Sequence, residues 1–145
     1  MTATELDTHG RSELALHRWD MAGDDACSME LLAQPELLTH AVKLFAMLPQ
    51  LAESPAQRAR RAGLTRDHPL SVRLRATGDD RDVVVHLDGE ATRVTLAPQT
   101  DAPALVTTAA GRLLLLWGRP LTPQHPTYSE LTVAELETLS RWLFA

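Results

Sequence analysis

The fold of this chain is decided by the stretch VRLRATGDDRDVVVHLDGEATRVTL, residues 72–96. Three short runs rich in valine, leucine and threonine are separated there by Gly78-Asp79-Asp80 and by Asp88-Gly89. Alternating apolar and polar residues are typical of a strand with one buried face, and a Gly-containing pair is typical of a tight turn. We therefore expect a mainly antiparallel sheet. Its first three strands are predicted at residues 72–76, 83–87 and 92–96.

The sequence on the carboxyl side of this stretch predicts one more buried strand, two helices and a short edge strand. Thr107 or Thr108 is placed to cap the first helix, while Thr132 and Glu135 form a capping-box pattern before the second. The predicted order is a strand at 104–107, a helix ending near Gly118, an irregular segment with three prolines at 120–126, an edge strand at 128–131 and a helix after Thr132.

The amino-terminal part has helical periodicity. Apolar residues recur at three- and four-residue spacings over residues 4–20 and again over 35–48. Gly10 weakens the first helix, so Ser12 is the predicted N-cap, and Gly23 is the predicted stop. The fold class is therefore α+β. The predicted organisation is N-terminal helices at 1–50, a linker at 51–70 and a small α+β domain at 71–145.

Composition excludes several classes of protein. The formal net charge of the 145 residues is −5, which gives no general attraction to nucleic acid. The single cysteine, Cys27, rules out a disulfide framework within the chain and favours a reducing compartment. The longest apolar run, residues 113–117, is far shorter than the about 20 residues that span a bilayer. We expect a cytoplasmic protein with no membrane segment and no nucleic-acid partner.

The stretch Glu13-Leu14-Ala15-Leu16-His17-Arg18-Trp19-Asp20 holds the strongest candidate for chemistry. Glu13 and His17 are four residues apart, so both leave the same face of a helix and can bind one divalent metal, or can form an ordinary surface ion pair. His9 cannot be a third ligand on an unbroken helix, because it lies about 12 Å along the axis from His17. We expect His9 to be exposed, as well as His125 in the proline-containing segment.

Two parts of the sequence resemble one family. Glu13-x-x-x-His17-x-Trp19-Asp20 resembles the last helix of the DinB-like metal-binding bundle in mycothiol-dependent maleylpyruvate isomerases. The predicted strands, followed by Ala104-Leu105-Val106 and by Leu113 to Arg119, resemble the carboxyl-terminal domain of that family, which is similar to sterol carrier protein type 2 folds. The resemblance covers nearly the whole chain, with residues 51–70 matching only as a variable linker.

The resemblance implies a function for three residues. Family members use the small thiol mycothiol as a cosubstrate and isomerise a cis double bond by adding and then releasing the thiol. Glu13 and His17 would ligate a divalent metal, most simply zinc, that holds the thiol as a thiolate. Arg119 would face the substrate carboxylates. Its alternative role is that of a cation at the negative end of a helix.

The resemblance begins just before the last helix of the bundle, which leaves three interpretations open. The chain is a partial, truncated enzyme, inactive alone; or a standalone module that binds a small apolar or thiol-bearing ligand; or a subunit that completes its site as a homodimer or with a partner chain. Association is favoured by the apolar residues of the first helix, which need cover. These residues are Leu6, Leu14, Leu16 and Trp19.

Overall fold

The computed structural model describes residues 2–47, 55–90 and 92–144, and over these the chain forms an α+β fold. The helices are α1 (Ala3–Ala22), α2 (Ala26–Leu32), α3 (Pro35–Met47), α4 (Pro55–Arg61), α5 (Ala109–Leu116) and α6 (Val133–Leu143). The strands are β1 (Leu70–Ala76), β2 (Arg81–Leu87), β3 (Thr92–Pro98), β4 (Ala104–Thr107) and β5 (Tyr128–Ser129). No helix among the described residues combines the length and the apolar character needed to cross a membrane.

The five strands form one sheet in the order β3-β2-β1-β4-β5. Val85 of β2 lies opposite Val72 of β1 and Val94 of β3, so the three runs predicted as strands pair in one antiparallel register. Strand β4 runs parallel to β1, with Leu105 beside Leu74, and β5 forms the antiparallel edge. The mainly antiparallel sheet is therefore confirmed, with one parallel pair.

The polar face of β1 is closed by a buried carboxylate. Asp82, which is fully buried, accepts hydrogen bonds from Arg73 Nη1 at 3.1 Å and from Arg75 Nε and Nη2 at 3.0 Å. Burial raises the pKa of Asp82, but the hydrogen bonds from Arg75 and Arg73 outweigh it, so the pKa lies below its ordinary value. The alternating arginines that mark this strand in the sequence thus hold β2 against β1.

The apolar side of the sheet and the helices share one hydrophobic core. Leu74, Val83 and Val85 from the sheet are fully buried, together with Leu114 of α5 and Trp142 of α6. The amino-terminal helices contribute to the same cluster of buried side chains. The residues that α1, α2 and α3 contribute to this core are Ala15, Leu16, Leu32, Leu37, Leu38, Ala41, Val42 and Phe45. Helix α1 is therefore anchored by one face only, and its opposite face remains on the surface.

The helix caps predicted near the carboxyl terminus are confirmed, whereas the cap predicted for α1 is wrong. Thr108 accepts the amide of Gly111 at 2.9 Å, and Thr132 forms a capping box with Glu135. Helix α1, however, begins at Ala3 behind a capping box made by Thr2 and Glu5, and Ser12 is buried in its middle. Because the capping box satisfies the first amides, the helix runs through Gly10 without a break. The stop at Gly23 is confirmed.

The segment 51–70, predicted as a linker, contains helix α4 from residue 55 to 61, while residues 51–54 lie outside the described ones. Arg60 Nη1 donates to the carbonyl of Gly89 at 2.8 Å, and the Arg58 guanidinium lies 5.4 Å from the centre of the Trp142 ring. Helix α2 is an addition that the sequence did not indicate, because it spans only seven residues. The domain boundaries at 50 and 70 stay a prediction.

A candidate ligand-binding surface on helix α1

Glu13 and His17 lie side by side on the solvent face of α1. His17 Nε2 is 3.4 Å from Glu13 Oε2, and the two side chains are 68% and 46% exposed, respectively. The spacing argument for a shared helix face is therefore confirmed. Both groups are open to a ligand, because no packed side chain covers either of them to the extent seen in the core.

The structure brings Arg119 to this surface, a hundred residues further along the chain. Arg119 Nε and Nη2 donate to the two carboxylate oxygens of Asp20, each at 2.7 Å. Asp20 Oδ2 also lies 3.7 Å from His17 Nδ1. Glu13, His17, Asp20 and Arg119 thus form a continuous polar row, which we call the α1 surface row.

The backbone at the end of α5 places Arg119 in the row. Gly118 adopts a φ of 72°, the left-handed conformation that glycine allows at a helix end, and Arg119 N then donates back to Leu114 O at 2.9 Å. The chain turns out of the core at this point, and the Arg119 side chain extends to α1. Its Nη1 also donates to the carbonyl of Trp117 at 3.2 Å, so the role at a helix end and the role in the row coexist.

Ion pairing fixes the charges at one end of the row. The hydrogen bonds from Arg119, followed by its positive charge and that of His17, outweigh partial burial and lower the pKa of Asp20. The same pair raises the pKa of Arg119. The N–H groups of Arg119 that Asp20 and Trp117 do not use lie on its two Nη atoms. They give the row a permanent cation that can receive a carboxylate.

The donor atoms of Glu13 and His17 suit a divalent metal in type and in separation. Zinc binds imidazole nitrogen and carboxylate oxygen at about 2.0–2.2 Å, and tetrahedral angles then set these two donors about 3.3–3.5 Å apart. The observed separation is 3.4 Å. Within residues 2–47, 55–90 and 92–144, however, no group of three or more histidine, cysteine, aspartate or glutamate side chains is arranged to hold a metal. The row therefore supplies two ligands.

The prediction that His9 is exposed is wrong. His9 turns toward α3, where its Nδ1 lies 3.1 Å from Nε2 of the buried His40. Helix α1 is unbroken from residue 3 to 22, so His9 and His17 stay far apart along the axis, as expected. No local sequence pattern indicates this contact, because the pairing of α1 with α3 is a tertiary event.

The prediction that His125 is exposed is also wrong. Its side chain is fully buried, and Nε2 lies 2.8 Å from Asp24 Oδ1, while Nδ1 lies 2.7 Å from Thr108 Oγ1. Asp24 also accepts hydrogen bonds from Trp19 Nε1, at 2.6 Å, and from the hydroxyl of Thr122. We call these residues the buried histidine cluster. Proline-rich segments are usually exposed, and no local pattern around His125 indicates its burial.

The buried histidine cluster has a structural role, because its hydrogen bonds connect two helices. The two ring nitrogens of His125 lie within hydrogen-bond distance of Asp24 and of the Thr108 hydroxyl, and that hydroxyl itself accepts the amide of Gly111. Burial raises the pKa of Asp24, but the hydrogen bonds from Thr122, Trp19 and His125 outweigh it and lower the pKa. All these groups are satisfied by one another, so the cluster joins the end of α1 to the start of α5.

Cys27 and His86, two other residues of reactive type, do not join either group. Cys27 is exposed on α2, and His86 is half-buried on β2, where its Nε2 lies 3.9 Å from Asp88. Trp117 is partly buried, with its ring centre 6.0 Å from that of Phe45.

Comparison with known proteins gives no relative for this chain: no family model, no curated protein and no solved structure matches it.

Proposed function

We propose that this chain carries part of the site of a metal-assisted thiol-transfer or isomerase reaction of the mycothiol-dependent maleylpyruvate isomerase type. The single observation that carries the proposal is the α1 surface row. It unites Glu13 and His17, the two expected metal ligands, with Arg119, the expected substrate-binding cation. These residues come from opposite ends of the sequence, and nothing in their local patterns requires them to meet.

In this proposal Glu13 and His17 hold a divalent metal, zinc being the simplest choice for such donors. The metal would supply the positive charge that keeps the mycothiol sulfur as a thiolate, the reactive form of a thiol. Arg119 orients a small unsaturated carboxylate through its Nη groups, and Asp20 holds the guanidinium in place. The remaining ligands and the cover that excludes water come from helices that these 145 residues do not contain.

The outer face of α1 supports the requirement for further helices. Leu6, Leu14 and Met21 are 62%, 66% and 85% exposed, and they lie on the same side of the helix as His17. Apolar side chains in that number on one helix face usually pack against another helix. Since metal sites of this kind lie inside helix bundles, we propose that the chain alone is inactive in the cytoplasm and gains activity when bundle helices cover α1.

Zinc titration tests the ligand role. It is performed on a His40→Gln background, so that the contact between His9 and His40 makes no contribution to zinc binding. We expect Glu13→Gln and His17→Gln each to lower the affinity for zinc at least fivefold, because each removes one of two donors. Asp7→Asn, which removes another exposed carboxylate of α1, is the matched control. Equal affinity of all four proteins would remove Glu13 and His17 as ligands.

An assay with mycothiol and maleylpyruvate tests the incomplete site. We expect no turnover by the isolated chain, and turnover by this chain would contradict that part of the proposal.

Light scattering at high concentration tests the way in which α1 is covered. A dimer that dissociates on Leu14→Glu would identify a second copy as the cover, whereas a monomer would exclude the homodimer.

A second candidate function is binding of a small apolar ligand, as in sterol carrier proteins. An apolar groove of about 340 Å³ lies between β4, β5 and the ends of α5 and α6. It is lined by Leu105, Leu115, Leu121, Tyr128, Leu136 and Phe144. Enhanced fluorescence of an apolar naphthalene dye that is lost on Leu136→Glu, and not on Leu14→Glu, would favour this alternative.

A further inference from the structure

Helices α1 and α3 place two imidazoles in contact on their shared boundary. His9 Nδ1 and His40 Nε2 are 3.1 Å apart, and the rings are tilted by 56° with centroids 5.3 Å apart. His40 is buried and His9 half-buried. In the described part of the chain, their mutual contact is the one side-chain hydrogen bond that either ring makes.

The surroundings of His40 favour its neutral form. Burial, followed by the neighbouring His9, lowers the pKa of His40, although the carboxylates of Glu5 and Glu13 partly oppose the effect. Two neutral imidazoles have one N–H and one unprotonated nitrogen each. They make a single hydrogen bond when one facing nitrogen keeps its proton. When both protons occupy the outward nitrogens, the facing nitrogens present two lone pairs to the same point.

The spacing of the facing nitrogens fits a metal ion. Zn–N bonds of about 2.0–2.1 Å at a tetrahedral angle set two ligand nitrogens about 3.3 Å apart. The observed 3.1 Å between His9 and His40 differs from this by a distance that a small side-chain rotation supplies.

The space beside the pair admits a cation. Glu5 lies one helical turn before His9 and its negative charge reaches His40, although Lys43, whose Nζ lies 3.4 Å from Glu5 Oε1, opposes it. A cavity of about 340 Å³ between α1 and α3 is lined by His40, Glu5 and Thr39, among others. It gives access to solvent and leaves room for water to complete a coordination shell. Borderline divalent cations accept imidazole and water together.

We infer that His9 Nδ1 and His40 Nε2 form a two-histidine site for a divalent cation of the zinc, nickel or copper class, which links α1 to α3. The site is separate from the pair formed by Glu13 and His17, and the inference does not rest on the proposed function. With two protein ligands it binds more weakly than a structural zinc site. Its consequence is structural, because an ion bound only by the folded protein stabilises the packing of α1.

The test is calorimetric titration of the full chain with zinc chloride, using a Glu13→Gln/His17→Gln background that removes the surface pair. We expect one zinc ion per chain, and at least a tenfold loss of affinity on His40→Gln or on His9→Gln. His68→Gln, which removes an exposed histidine outside both groups, should leave the affinity unchanged. Zinc binding that survives both substitutions, or its absence from the background protein, would overturn the inference.

A second measurement covers variants that fold poorly. Copper(II) bound to the background protein should give an electron paramagnetic resonance spectrum with hyperfine structure from two imidazole nitrogens, and His9→Gln should reduce this to one. His9 is only half-buried, so its replacement should disturb the core less than replacement of the buried His40. A spectrum without nitrogen coupling in the background protein would contradict the two-histidine site. Because the background lacks Glu13 and His17, failure here leaves the proposed function unaffected, and the reverse also holds.

Discussion

Two groups of side chains centred on histidine lie at the carboxyl half of α1, and they differ in solvent exposure. In the α1 surface row, His17 is 68% exposed and has a carboxylate at 3.4 Å. In the buried histidine cluster, His125 is fully buried and has Asp24 at 2.8 Å. Similar residue types thus serve different ends. Solvent competes for the hydrogen bonds of the first group, whose side chains stay open to ligands. Burial excludes solvent from the second group and so strengthens its hydrogen bonds.

Replacement of the central carboxylate should give the largest difference between the two groups. Asp24→Ala leaves Trp19, Thr122 and His125 without their acceptor in a buried site, which should lower the free energy of unfolding by about 3 kcal/mol. Asp20→Ala, its counterpart in the surface row, should cost less than about 1 kcal/mol. Urea unfolding at neutral pH measures both. Equal losses would show that burial does not distinguish the two groups.

A methyl group added to glycine should separate the same regions with smaller effects. A Cβ at Gly111 would lie 2.7 Å from Thr107 Oγ1 and 3.2 Å from His125 Nδ1, so Gly111→Ala should destabilise the protein by about 1–3 kcal/mol. Gly10→Ala on α1 meets no atom within 4 Å and should stabilise it by about 0.5–1 kcal/mol. Thermal unfolding of the two variants checks both signs, and a stabilising Gly111→Ala would contradict the tight packing around His125.

Acid should unfold the protein through carboxylates whose native pKa is lowered, among them Asp20, Asp24 and Asp82. A lowered native pKa contributes stability above the ordinary aspartate value, about 3.9, and this contribution is lost as the pH falls through the native pKa. Salt should reduce the contribution of Asp20 to the free energy of unfolding more than that of Asp24, because Asp20 is partly exposed. Denaturant titrations from pH 6 downward, on Asp20→Asn and Asp24→Asn at low and high salt, measure this. A salt effect seen only on the contribution of Asp24 would contradict the view that Asp20 is the more solvent-screened of the two.

The smallest expected effect is that of Glu13→Gln on stability. The contact between Glu13 and His17 is an exposed i,i+4 pair, so its loss should change the free energy of unfolding by less than about 0.5 kcal/mol. Urea unfolding without added metal gives the value. A loss of several kcal/mol would mean that the surface row has a structural role, which would weaken the proposal that it is kept open for a ligand.

The sequence alone determined the local elements and the pairing within α1. Alternation over residues 72–96 fixed three strands and their turns, since a half-buried sheet requires a period of two. Thr108 and Thr132 predicted where two helices begin, because a hydroxyl before a helix accepts a free amide of the first turn. Four-residue spacing was enough to put Glu13 and His17 on one face. Ser12 was mistaken for a cap, because the capping box of Thr2 and Glu5 competes better for the helix start.

The tertiary structure alone decided which distant residues meet. Arg119 joins Asp20 across 99 positions, His125 joins Asp24 across 101, and His9 joins His40 across 31. Local periodicity carries no information at such separations, because it records which face of an element is buried and not which element covers that face. The exposure of each histidine followed from those contacts. The chemistry available to His17, and closed to His125, was therefore set by packing.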